Sequence, residues 1–263
     1  MIKTIDTTKY KIRFSDKGEG AVLVLLHGYL ESIETFDALA CELSKSARVI
    51  CIDLPGHGKS TYKRESLSVE EMAESVYAVI SNLKLDVVHL MGHSMGGYVV
   101  LAFADKYAER LASFTFLHST ANADTDEKRS NRKREIEFIQ QGKKDLICST
   151  AIPNTFSKNN QEAFSDEINA LIEIASNTRD EGIIAALNAM MNRPDRNDML
   201  RALTIPKYSF VGMEDNFIPF EMGVRWAQQN GMKAIVLEHS GHMGFIEEKE
   251  KCLKAVLEII AEI

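Results

Sequence analysis

The stretch Leu90-Met91-Gly92-His93-Ser94-Met95-Gly96-Gly97 constrains this chain more than any other. The run Val87-Val88-His89-Leu90 before it reads as a buried strand, and Tyr98 to Ala104 is an apolar run long enough for a buried helix. A strand that passes into a helix through G-x-S-x-G must turn sharply. Glycine at 92 and 96 removes side chains where the strand and helix ends approach. The turn strains the backbone of Ser94 and holds it proud of the sheet, at the helix N-terminus. There the Met95 N–H lacks an intrahelical partner, and the helix end carries partial positive charge. Both suit a developing oxyanion, so Ser94 is a candidate nucleophile and Met95 a candidate backbone donor. The stretch lacks the G-x-x-x-x-G-K-[ST] lysine of a P-loop and the G-x-G-x-x-G of a dinucleotide site.

The rest of the chain alternates strand and helix patterns around this turn. Residues 9–14 alternate polar and apolar, as a half-exposed strand would. Ala21 to Leu26 is a continuous apolar run, the mark of a strand covered on both faces. It leaves into His27-Gly28-Tyr29, where Gly28 lets the backbone turn an N–H, that of Tyr29, into a site. Phe36 to Leu43 fits a helix, and Arg48 to Asp53 a strand. Ser68 with Glu71 forms an S-x-x-E capping box, followed by Met72, Val76, Val79, Ile80 and Leu83 on one helix face. Leu111 to Leu117 is a further strand. From 121 to 202 the pattern is helical and densely charged between Asp126 and Glu137, which predicts a solvated face. Met190 and Met191 there fit core packing, with a pocket lining as the alternative. Lys207 to Val211 and Lys233 to Leu237 resume the strands, with a helix over 221–230 between them and another from about Glu247. The expected organisation is an α/β core of residues 1–120 and 203–263 with a helical cap over 121–202.

A net charge of −7 gives no basic footprint for nucleic acid and no attraction to anionic membranes. No apolar run reaches membrane-spanning length, and the N-terminal stretch lacks the apolar segment of a signal peptide. Four cysteines without C-x-x-C spacing suggest a reducing compartment. A cytoplasmic protein is expected. Nothing gathers histidines and carboxylates at zinc spacing, so neither a metal nor a cofactor is expected. No feature of the sequence sets an oligomeric state.

A mainly parallel sheet opens all its strand C-terminal ends on one edge. Four loops then converge: 27–29, 92–96, 212–219 and 240–243. They hold a serine, histidines and carboxylates. A serine hydroxyl needs an imidazole to take its proton, and a carboxylate behind that imidazole fixes its tautomer. Asp215 and Glu214 both qualify as the acid, with Asp53 a weaker candidate. His242 and His239 compete as the base. His27, His57, His89 and His118 have plain structural readings. The His93 side chain, next to Ser94, should point away from the nucleophile.

These motifs, taken in order, resemble the α/β-hydrolase fold along nearly the whole chain. The matching features are His27-Gly28, Asp53 to Ser60, Gly92 to Gly97, Gly212 through Asp215 to Pro219, and Gly241-His242-Met243. The resemblance implies Ser94 as nucleophile, Asp215 as acid and His242 as base, in the family's chain order. It implies the backbone N–H groups of Tyr29 and Met95 as the oxyanion hole. Arg193-Pro194-Asp195-Arg196 and the stretch from Ala123-Asp124 to Arg132 resemble small carboxylesterases and enol-lactonases. The expected activity is acyl-enzyme hydrolysis of a small ester, thioester or lactone. Two alternatives stay open: a C–C hydrolase or lyase with the same triad, and a ligand receptor that keeps the triad without turnover. Tyr29, Met95 and Met243 are the expected pocket walls.

Overall fold

The computed structural model describes residues 1–63 and 66–262; the core limit drawn at residue 263 lies outside them. Among the described residues nine strands form one sheet: β1 (Ile2–Asp6), β2 (Tyr10–Lys17), β3 (Val22–Leu26), β4 (Arg48–Ile52), β5 (Thr61–Tyr62), β6 (Val88–His93), β7 (Leu111–Leu117), β8 (Lys207–Gly212) and β9 (Lys233–Leu237). Their order is β1-β2-β4-β3-β6-β7-β8-β9, with β5 paired to β2. From β4 through β9 along this path every pairing is parallel, and β2 joins β1, β4 and β5 antiparallel.

The winding direction reverses around β3. The chain goes from β3 to β4 on one side through α1 (Asp37–Leu43). It then returns across β3 to β6 through α2 (Val69–Asn82) and on to β7 through α3 (Met95–Tyr107). Right-handed crossovers running in opposite directions put their helices on opposite faces. Accordingly α2 packs on α3, while α1 packs on α11 (Lys249–Ala261). The ends of β3 and β6 flank the reversal, where sheets of this kind leave a crevice for ligands. Strands β3 and β6 are almost wholly buried, as the unbroken apolar run of β3 requires.

The α2 capping box is present: Ser68 Oγ accepts the Glu71 N–H at 3.2 Å, and Glu71 Oε2 accepts the Ser68 N–H at 3.0 Å. Strand β2 departs from its expected half-exposed alternation. Ile12, Arg13, Phe14 and Ser15 are all buried. The strand lies inside the sheet between β1 and β4, and Asp53 neutralises its one charged buried member at 2.5 Å from Arg13 Nε. The short strands β1 and β5 carry too little apolar pattern to be foreseen; Ile5 alone is buried in β1.

Between β7 and β8 the described residues form helices and no strand: α4 (Asp126–Gln140), α5 (Lys144–Ala151), α6 (Ser165–Asn177), α7 (Asp180–Asn192) and α8 (Asn197–Ala202). This segment is fastened to the sheet domain by Arg196, 2.5 Å from Glu70 on α2. It also touches it main chain to main chain, where a Cβ on Gly182 of α7 would overlap the carbonyl of Gly56. The charged helix α4 is largely solvated, as expected, but Lys128, Asn131, Arg132 and Glu135 face inward onto a cavity. Among the described residues no helix is long and apolar enough to cross a membrane.

Candidate active site

The turn between β6 and α3 has the geometry that its glycines foretell. Ser94 sits at φ 48°, ψ −110°, a strained conformation for a residue with a Cβ. The Ser94 N–H donates to Leu117 O at 3.0 Å, and Ser119 Oγ donates to Ser94 O at 2.7 Å. A Cβ on Gly92 would overlap the backbone of Gly96, and one on Gly96 would overlap Leu26 O. Helix α3 begins at Met95, whose N–H is among the donors left over at a helix start.

The loop after β3 is held by His27, in the structural role expected of it, and by Asp53, which bonds Arg13 and backbone N–H groups there. His27 Nε2 accepts the Leu54 N–H at 3.0 Å, and its Nδ1 lies 2.7 Å from Gly28 O. Burial lowers the His27 pKa, which suits a neutral ring with one donor and one acceptor. Asp53 accepts from the Ile33 N–H at 2.9 Å and the Lys59 N–H at 2.9 Å.

Asp215 follows β8, and His242 follows β9. His242 Nδ1 is 2.8 Å from Asp215 Oδ2. Oδ1 of the same carboxylate accepts the N–H groups of Phe217 at 2.8 Å and Ile218 at 3.0 Å. Burial on its own would raise the Asp215 pKa. The charge of His242 and the bonds from His118 and His242 outweigh it, and the carboxyl is held well below the usual range. An ionised Asp215 fixes the proton of His242 on Nδ1, leaving Nε2 as the acceptor. Glu214 turns elsewhere: it accepts from the Ser157 hydroxyl and from Asn159 Nδ2. His239 is exposed and engages through its backbone, donating to Glu248 and accepting from Asn160.

Two further histidines belong to this cluster: His118, given a structural reading, and His93, expected to point away. His118 Nδ1 approaches the same Asp215 Oδ2 at 3.2 Å, and burial lowers its pKa to about 4. It is therefore neutral near pH 7. It follows β7 and adopts φ 51°, a bend that no motif in the sequence signals. His93 does not simply turn away: its Nε2 lies 2.9 Å from His242 O, and its ring is 5.0 Å from that of His242. The ligand-type atoms of His118, Asp215 and His242 lie within 4.8 Å of one another, a gathering in space that sequence spacing did not contain. The Asp215 carboxylate there is already met by four donors.

Ser94 and His242 open onto one cavity of about 300 Å³. Tyr29, Tyr98, Phe217 and Ile218 line it beside the inward residues of α4. Tyr29 is the wall expected of it, and its hydroxyl donates to Glu135 Oε1 at 2.7 Å. Met95 and Met243, expected as walls, are instead fully buried and do not line it, because both sit at helix starts that face the core. Met190 packs in the core, as expected, and also borders the cavity; Met191 is buried.

Residues 21–137 match the family model described as the alpha/beta hydrolase fold. A thermophilic esterase from Thermogutta terrifontis, solved with malate bound, superposes with a TM-score of 0.94 at 29% identity; the match covers 100% of this chain and 98% of that one. The enol-lactonase from Burkholderia xenovorans LB400 shares the fold, with a TM-score of 0.88 at 20% identity over 96% of this chain and 97% of that one. A 2-hydroxy-6-oxononadienedioate/2-hydroxy-6-oxononatrienedioate hydrolase of Burkholderia vietnamiensis is 26% identical, over 97% of this chain and 92% of its own length. On the matched segment, the full-length likeness and the sheet order around the Ser94 turn, this chain has the α/β-hydrolase fold.

Proposed function

We propose that the protein is a serine hydrolase that cleaves small carboxylic esters, thioesters or lactones through an acyl-enzyme, with residues 121–202 as its cap. The observation that carries this reading is the meeting of Ser94 and the Asp215–His242 pair on one cavity. In this reading Ser94 Oγ attacks the carbonyl carbon while His242 Nε2 takes the hydroxyl proton. The tetrahedral oxyanion is met by the backbone N–H groups of Tyr29 and Met95. Each such donor contributes about 2.7–4 kcal/mol to the transition state. As the C–O or C–S bond breaks, His242 returns the proton to the leaving group. Water, deprotonated by the same imidazole, then attacks the acyl carbon and releases Ser94. Asp215 stays ionised throughout and stabilises the imidazolium. The cavity volume suits a short acyl or lactone substrate better than a long chain.

The test is turnover of p-nitrophenyl acetate and butyrate by the natural protein and by Ser94→Ala. Turnover that disappears in the variant supports the reading. Equal background rates in both, with ligand binding intact, would instead make the protein a receptor on a hydrolase scaffold.

A further inference from the structure

We propose that Glu31 and His93 are positioning residues of the reaction, a buried charged strut that ties the oxyanion loop to the segment carrying His242. The proposal rests on the reading of Ser94 as nucleophile and His242 as base. Its geometry is continuous. The Gly28 N–H donates to Glu31 Oε2 at 2.8 Å. Glu31 Oε1 lies 2.8 Å from His93 Nδ1. His93 Nε2 lies 2.9 Å from the carbonyl oxygen of His242. One chain of contacts therefore joins the residue before Tyr29, the residue before Ser94, and His242.

The proton positions follow from the partners. A carbonyl oxygen only accepts, so His93 Nε2 carries a proton. Glu31, whose pKa is held down despite burial by the His93 charge and the Gly28 N–H, is a carboxylate that only accepts, so Nδ1 carries one as well. His93 is then an imidazolium, held against an ionised Glu31. Burial opposes charge on both, but their mutual attraction and hydrogen bond prevail, raising the His93 pKa and lowering that of Glu31. Both side chains are buried, at 1% and 6% exposure. The other groups facing His93 are His242 from the loop after β9, His118 from the end of β7 at 6.3 Å between rings, and Asp215 after β8. The Phe245 ring of α10 (Gly244–Glu247) closes the remaining side at 5.0 Å.

A buried ion pair adds little net stability, because desolvating two charges cancels most of their attraction. What this pair supplies is geometry. It fixes the spacing between the Tyr29 donor and the His242 ring on either side of Ser94. Small displacements of such groups lower rates steeply.

The experiment measures the rate at which a fluorophosphonate probe labels Ser94, which needs no knowledge of the natural substrate. Labelling of the natural protein but not of Ser94→Ala establishes the nucleophile reading; no labelling of the natural protein overturns that reading and this proposal with it. The doubly substituted Glu31→Gln, His93→Phe protein keeps an acceptor for Gly28 and removes the charges. A labelling rate lowered by about tenfold to a hundredfold at an unchanged melting temperature supports the strut. A rate within about twofold of the natural protein overturns it. Should the double variant fail to fold, Glu31→Gln alone decides. Without the carboxylate His93 titrates, so the labelling rate gains a new ionisation below neutral pH; a profile superimposable on the natural one overturns the proposal.

Discussion

Asp215 Oδ2 and His242 Nδ1 stand 2.8 Å apart although 27 residues separate them in the chain. Adjacent parallel strands bring them together, since β8 and β9 pair in register and end side by side. Neighbouring Glu214 is sent to Ser157 and Asn159 instead. Asp215→Asn should therefore lower the kcat for ester hydrolysis by about four orders of magnitude, through the wrong His242 tautomer. Glu214→Gln should leave kcat close to that of the natural protein. Steady-state kinetics with p-nitrophenyl butyrate checks both, and the reverse ranking would move the acid role to Glu214.

Gly96 is where helix α3 rests on the end of β3. A methyl group there would overlap Leu26 O and stand 2.8 Å from His27 O. The Leu26 carbonyl ends β3 and cannot rotate aside without disturbing the sheet. Gly96→Ala should destabilise the fold by about 2–4 kcal/mol. Thermal unfolding of the variant would show it, and an unchanged melting temperature would mean that the elbow relaxes more than its packing implies.

The pH dependence of stability carries a definite sign. His57 and His118 are buried, which pushes their pKa values down from 6.5 to about 3 and about 4. In the unfolded chain both take up a proton as the pH falls below about 6.5, while the folded chain does not. Their stabilising contribution is thus complete above pH 6.5 and declines as the pH drops towards 4. Asp215, held below the ordinary carboxylate range, adds a further loss below about pH 4. Melting temperatures should fall steadily from pH 7 to pH 4. His57→Phe, which has nothing to protonate, should fall less.

Helix α2 depends on its first turn. Ser68→Ala removes the acceptor for the Glu71 N–H and should cost about 1 kcal/mol. Denaturant titration measures this. Because the helix lies away from the cavity, kcat for p-nitrophenyl butyrate should not change.

The parts of this molecule that were legible in the sequence are those with local causes. The strand runs of β3 and β6, the glycines around Ser94 and the Ser68–Glu71 box each act through residues close in sequence, so their patterns sufficed. The acid and base were legible by resemblance, through the spacing of Gly212, Asp215 and Pro219 and of Gly241 and His242. His118, His93 and Glu31 were not legible as a cluster. His93 ends β6, while Glu31 and His118 lie in the loops after β3 and β7, and their shared environment exists only after the sheet has formed. The same holds for α4, whose mixed charges look like a plain solvated face. Only the packing of the segment after β7 turns Arg132 and Glu135 towards Ser94. Met95 and Met243 were misjudged because proximity in sequence to a functional residue says nothing about which side of a helix start a side chain takes.

The touching backbones of Gly56 and Gly182 have one more consequence. No side chain cushions that junction, so its gap is set by the bare thickness of two peptide chains. A single added methyl would act as a shim, prising α7 off the loop after β4. The seating of the helices after β7 on the sheet is thereby linked to two positions that carry no side chain.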